Sequence, residues 1–212
     1  MQPPRRPSCA RAFTLVELLV VVTLLAGLLT AFAVFSTKPD SGRRVGLGMQ
    51  FLAGKLRETR GVAAMRLTQA RLLIHADPSQ PELMWQSCVI VSESETGSGT
   101  WDVFSEPQKL PPGVCWVPPG GAGGWSGPLS TGGMMMPLPQ TARAGAWKPG
   151  CACWAYEFTP TGRIANRHYD LILGEGSTIG GVGALQNSKN YRGLRVNAYG
   201  HVIEVADLVP GS

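Results

Sequence analysis

FTLVELLVVVTLLAGLLTAFAVF, residues 13–35, decides how the rest of the chain is read. This run holds a single ionisable side chain, Glu17. As a helix rising about 1.5 Å per residue it is roughly 35 Å long, enough for a hydrocarbon core of about 30 Å. The sequence therefore predicts a membrane-spanning helix over 13–35. Glu17 is the oddity within it. A carboxylate inside such a helix costs on the order of 2.5–3.5 kcal/mol and normally has a partner and a purpose.

Working outward, residues 1–12 (MQPPRRPSCARA) are short, polar and basic. The chain of 212 residues has a formal charge of +5, but Arg5, Arg6 and Arg11 lie in this leader. Without it, sixteen basic residues face fourteen acidic ones, a balance of +2. Most of the excess is thus a topology signal. It predicts a single-pass membrane protein with a cytoplasmic N-terminus and the rest of the chain outside. The apolar run is too long for a secretory signal, and no A-x-A-like cleavage site follows it. A plain uncleaved signal anchor leaves Glu17 unexplained.

The stretch Ala12-Phe13-Thr14-Leu15-Val16-Glu17-Leu18-Leu19 resembles the prepilin peptidase site of type IV pilins and type II secretion pseudopilins. The resemblance implies cleavage between Ala12 and Phe13 and N-methylation of Phe13, in a single-pass inner-membrane protein with a cytoplasmic N-terminus and a periplasmic head that joins a filament after assembly. It also makes Glu17 the fifth mature residue, where the family carries glutamate. One departure is Ala12, since the family usually has glycine before the cut. In a filament, the Glu17 carboxylate would pair with the α-amino group of Phe13 on a neighbouring subunit. Leaving either charge buried alone costs about 3–5 kcal/mol, so Glu17 is expected to act as a register pin for assembly.

After the apolar run come Pro39 and Gly42, and from Arg43 the pattern changes. Val45, Met49, Leu52 and Leu56 recur every three or four residues among charged neighbours, predicting an amphipathic continuation of the helix over 36–68. Strands are expected at 70–75, 83–93 and 100–106, the last two joined by the Thr96-Gly97-Ser98-Gly99 turn. A short strand follows Leu110-Pro-Pro-Gly. Residues 118–150, rich in glycine and proline, read as a long loop, with Met134, Met135 and Met136 as a contact surface or folded back on the domain. Further strands are expected at 151–158 and 168–174, then a loop at 175–189. A closing hairpin over 191–197 and 201–206 turns at Ala198-Tyr199-Gly200.

The segments LPPGV (110–114), YEFTPTGRI (156–164) and GLRVNAYGHVIEV (193–205) resemble the head of H-type minor pseudopilins and related minor pilins. The expected fold is accordingly α+β and pilin-like. A long N-terminal helix, half membrane-spanning and half amphipathic, packs on a small antiparallel β-rich head. Its parts are a cleaved leader (1–12), a transmembrane assembly helix (13–35), the amphipathic half (36–68) and the head (69–212).

Of five cysteines, Cys9 lies in the leader, leaving Cys88, Cys115, Cys151 and Cys153. One or two disulfides, or buried free thiols, both fit an even number. Residues two apart on a strand point the same way, so Cys151 and Cys153 are expected to reach Cys88 or Cys115 rather than each other. The histidines, His75, His168 and His201, fall on three separate expected strands, without the spacing of a zinc site. No nucleophile elbow or phosphate loop is present. The chain therefore reads as no enzyme, with no cofactor and no metal. Lys189, Arg192 and Arg195 cluster near Tyr191 as a candidate nucleic-acid contact, or as a solvated face.

The function expected is that of a structural minor pseudopilin or minor pilin in a secretion pseudopilus or pilus-like filament. Prepilin peptidase, other subunits and the inner membrane are its expected partners. The alternative is a DNA- or substrate-binding module on the same filament.

Overall fold

The structure is a computed structural model that describes residues 15–36, 41–120, 127, 129–142, 144–164, 168–179 and 182–205; within these, the side chains of 31–36, 41, 177–179 and 182–188 are left aside. The chain divides into two compact units, Met1–Asp40 and Ser41–Ser212.

The first unit contains α1, Leu15–Ser36. Its leucines and alanines are good helix formers, and Glu17 sits in the first turn, where the positive end of the helix dipole favours a carboxylate. Every side chain from 15 to 30 is exposed. Over these residues the helix is apolar all round rather than striped, Glu17 apart.

The second unit opens with α2, Ser41–Arg66. Its stripe of Val45, Met49, Leu52, Leu56 and Val62 is buried, as the spacing predicts. Gly48 has a packing reason, since a Cβ there would come within 2.9 Å of Val114 and 3.3 Å of Leu173. The missing side chain lets the helix backbone settle onto the sheet, which offsets a helix-propensity cost of about 1 kcal/mol.

Ten strands follow among the described residues: β1 (Ala70–His75), β2 (Ser87–Glu93), β3 (Trp101–Val103), β4 (Gln108–Lys109), β5 (Val114–Val117), β6 (Met134–Pro137), β7 (Ala152–Phe158), β8 (His168–Ile179), β9 (Val182–Asn197) and β10 (Val202–Val205). They form two sheets. One runs β3-β2-β1-β7-β6, with β4 also pairing β2, and the other runs β10-β9-β8-β5. All these pairings are antiparallel. The sheets are tied by Trp116 N–H donating to Trp85 O at 2.9 Å and by the Thr131–Asp170 bridge.

The first sheet is buried on both faces. Leu72, Ile74, Ile90, Tyr156 and Phe158 join the core under α2, which continues into Trp116, Leu171 and Leu194. Leu73, Val89, Val91, Cys153 and Ala155 face a second core, closed by Leu138, Ala142, Ala144 and Trp147. Two-sided burial explains why ARLLIH is nearly continuously apolar rather than alternating.

The expected long N-terminal helix packed on a small head is corrected. Among the described residues there are two helices, α1 and α2, and α2 supplies a buried stripe to the sheets. Pro39, which has no N–H to give a helix, falls between them in the sequence. The body is a sheet-rich unit of two sheets rather than a small head. The segment 118–150 is not wholly loop, because Met134–Met136 pair with β7. The expected loop at 175–189 is largely strand, with β8 and β9 pairing as far as Ile179 and Val182.

The expected single-pass inner-membrane placement is also overturned. Among the described residues, no helix is long and apolar enough to cross a membrane. Phe13 and Thr14, counted in the expected span, lie outside the described residues.

Candidate functional site

Of the residues expected to mark processing and assembly, Ala12 and Phe13 lie outside the described residues. Glu17 is on α1 and exposed. The polar side chains farther along the helix are turned inward on its own backbone. Thr23 Oγ1 donates to Val20 O at 2.9 Å, and Thr30 Oγ1 donates to Ala26 O. With those hydroxyls satisfied, the outer surface from 15 to 30 is apolar on every side apart from Glu17. Leu15 is 82 % exposed, and even Val21, among the most covered of its large apolar residues, is 46 % exposed. A contiguous apolar surface of this kind marks an association site.

The four cysteines of the second unit are all free thiols and all buried. Cys88 and Cys115 belong to the core under α2, whereas Cys151 and Cys153 belong to the core on the opposite face of the first sheet. The sheet itself therefore separates the two pairs, and the expected bridge from Cys151 or Cys153 to Cys88 or Cys115 does not form. Burial pushes the Cys88 thiol up to about 12, and burial likewise raises Cys115, with Gln86 Nε2 at 3.4 Å from its sulfur pulling the other way.

Cys151 and Cys153, by contrast, lie close together, Sγ to Sγ 3.8 Å. Strand logic placed both sulfurs on one face but too far apart to react. Cys151 stands one residue before β7, however, where its N–H turns back to Lys148 O at 3.1 Å. That departure from extended geometry brings the sulfurs together. His75 pairs across from Cys153 and lies against Cys151, a juxtaposition with no spacing signal in the sequence. Its ring is held by Gln80 Oε1, 3.3 Å from Nε2, and by an edge-on contact with Trp147 at 4.9 Å. Cys151 is held below the ordinary thiol range, first by its hydrogen bond with Cys153 and then by His75, against burial and Asp77. Cys153 is correspondingly raised.

The basic cluster comes out differently from a bare cationic stripe. Arg195 makes a two-pronged bond to the buried Asp170, at 2.7 and 3.0 Å, which raises its own pKa further. His168 Nε2 stands 3.5 Å from the same carboxylate. Arg192 pairs with Glu204 at 3.1 Å, and Lys189 is exposed on the rim of the same open hollow. Arg192 and Arg195 are thus engaged by carboxylates. His201 Nδ1 faces Arg60 Nη1 at 3.4 Å. Among the described residues, no group of three His, Cys, Asp or Glu side chains is placed to hold a metal ion.

No family model, no curated protein and no solved structure matches this chain.

Proposed function

We propose that the chain is a structural subunit of a type II secretion pseudopilus or a type IV pilus-like filament, a minor pseudopilin or minor pilin rather than an enzyme. Prepilin peptidase removes residues 1–12, methylates Phe13, and the mature chain joins other subunits through α1. One observation carries this reading. Next to the Ala12-Phe13 motif stands a helix apolar on every described face, with its one carboxylate, Glu17, in the first turn. A bundle of like helices covers such a surface, and a charge-neutralising partner for Glu17 sets the stagger between neighbours. The DNA- or substrate-binding alternative draws less support, because Arg192 and Arg195 already face Glu204 and Asp170.

Glu17→Ala tests the reading. The variant is expected to accumulate, keep the folded second unit and fail to enter filaments, a loss consistent with about 3–5 kcal/mol for an orphaned buried charge. Co-purification with sheared filaments measures it, and incorporation at the wild-type level contradicts the assigned role.

A further inference from the structure

The buried dithiol on the outer face of the first sheet has no part in helix-driven assembly. Cys151 is 3 % and Cys153 0 % exposed, their sulfurs are 3.8 Å apart, and the Cys153 thiol points toward Cys151 O at 3.4 Å. His75 stands across the strand pair from Cys153, and its Nδ1 is buried without a hydrogen bond of ordinary geometry. Residues 148–150, immediately before Cys151 in the chain, are all exposed. Two thiols within reach of closure, beside an imidazole with a nitrogen to spare, make an arrangement suited to exchange rather than to packing alone. We propose that Cys151 and Cys153 are a thiol–disulfide exchange site that takes a low-molecular-weight disulfide and closes to an intrachain disulfide.

The steps balance. The Cys151 thiolate attacks one sulfur of the external disulfide, whose S–S bond breaks and releases one thiolate, leaving a mixed disulfide on Cys151. Cys153 then gives its proton to His75 as its sulfur attacks the Cys151 sulfur, expelling the second external thiolate. Two protein thiols are oxidised to one disulfide, and one external disulfide is reduced to two thiols. Cys151 is the attacking sulfur because its thiolate is favoured by Cys153 and His75, with Asp77 opposing. Cys153, held protonated by Cys151 and by burial, is the resolving thiol. Closure would lock the chain across Cys151–Cys153, where Leu138 N–H donates to Cys151 O at 2.8 Å.

Oxidised glutathione added to the full-length chain at neutral pH, followed by unfolding, alkylation and peptide mapping, is the test. Trypsin leaves both cysteines on one peptide, 144–163, because Lys148 precedes Pro149. That peptide is expected to lose two hydrogens and resist alkylation until reduced, while Cys88 and Cys115 alkylate freely once unfolded. Cys153→Ala is expected to stop at a glutathione adduct on Cys151, and Cys151→Ala to take none on Cys153. His75→Gln is expected to slow closure on the order of 100-fold or more. Variants are compared only where Cys88 and Cys115 stay protected before unfolding, which reports an intact core. Free thiols at both positions, a bridge to Cys88 or Cys115, an adduct on Cys153 in Cys151→Ala, or closure at the wild-type rate in His75→Gln would each overturn the assignment.

Discussion

Cys88 ties stability to pH through a single proton. Its thiol is sealed under α2, and burial moves its pKa from the ordinary 9.0 to about 12, with Lys55 opposing and Glu58 assisting. Between those values the unfolded chain releases the proton while the folded chain keeps it. The stabilisation is therefore complete below about pH 9 and is lost as pH rises toward about 12, at about 1.4 kcal/mol per pH unit. Cys88→Ala is less stable at neutral pH but is expected to lose less on going from about pH 8 to about pH 11, because one such proton is gone. Denaturant titrations at the two pH values check this, and equal losses in both proteins contradict it. The residue scale is also where the sequence is hardest to read. The four cysteines can be counted, but which pair meets depends on the sheet lying between Cys88 and Cys153 and on the chain leaving extended geometry at Cys151. His75 beside Cys151 left no spacing signal at all, because β1 and β7 join only in three dimensions.

Elements were legible where apolar period and turn chemistry agree. ARLLIH, the Thr96–Gly99 turn and the closing hairpin at Ala198-Tyr199-Gly200 all stand where the sequence put them. The misses share a cause. Gly174-Glu175-Gly176 reads as the end of a strand, yet it is an irregularity in the β8–β9 pairing, and the strand continues beyond it. Met134–Met136 sits among glycines and prolines, and only its pairing with β7 makes it a strand. Glycine is required at Gly200 for a specific reason. Its φ is +75°, and a Cβ there would overlap Gly162 O, well inside van der Waals contact. Gly200→Ala must therefore strain the backbone and push apart the 159–162 turn and the hairpin. A loss of about 2–4 kcal/mol is expected, whereas Gly97→Ala, at φ +78° with open space around it, should lose about 1–2 kcal/mol. Thermal unfolding of the pair measures the difference, and equal losses contradict the steric account.

At the scale of the whole molecule, the chain joins two units of opposite character. The second has an amphipathic helix, two antiparallel sheets and two cores, and is satisfied by its own contacts. The first offers a helix whose described apolar side chains are all exposed. The sequence conveyed the two kinds of helix correctly, since one is apolar throughout and the other carries a stripe. It misled on their continuity and on the size of the sheet-rich body, because the apolar count from Phe13 to Phe35 says nothing of where a helix stops or what it packs against. The proposed function rests on the residues around Phe13, and the most direct measurement is made there. Mass spectrometry of the mature N-terminus is expected to find an N-methylated phenylalanine at Phe13 with residues 1–12 removed. An intact Met1, or a cut anywhere else, contradicts the proposal.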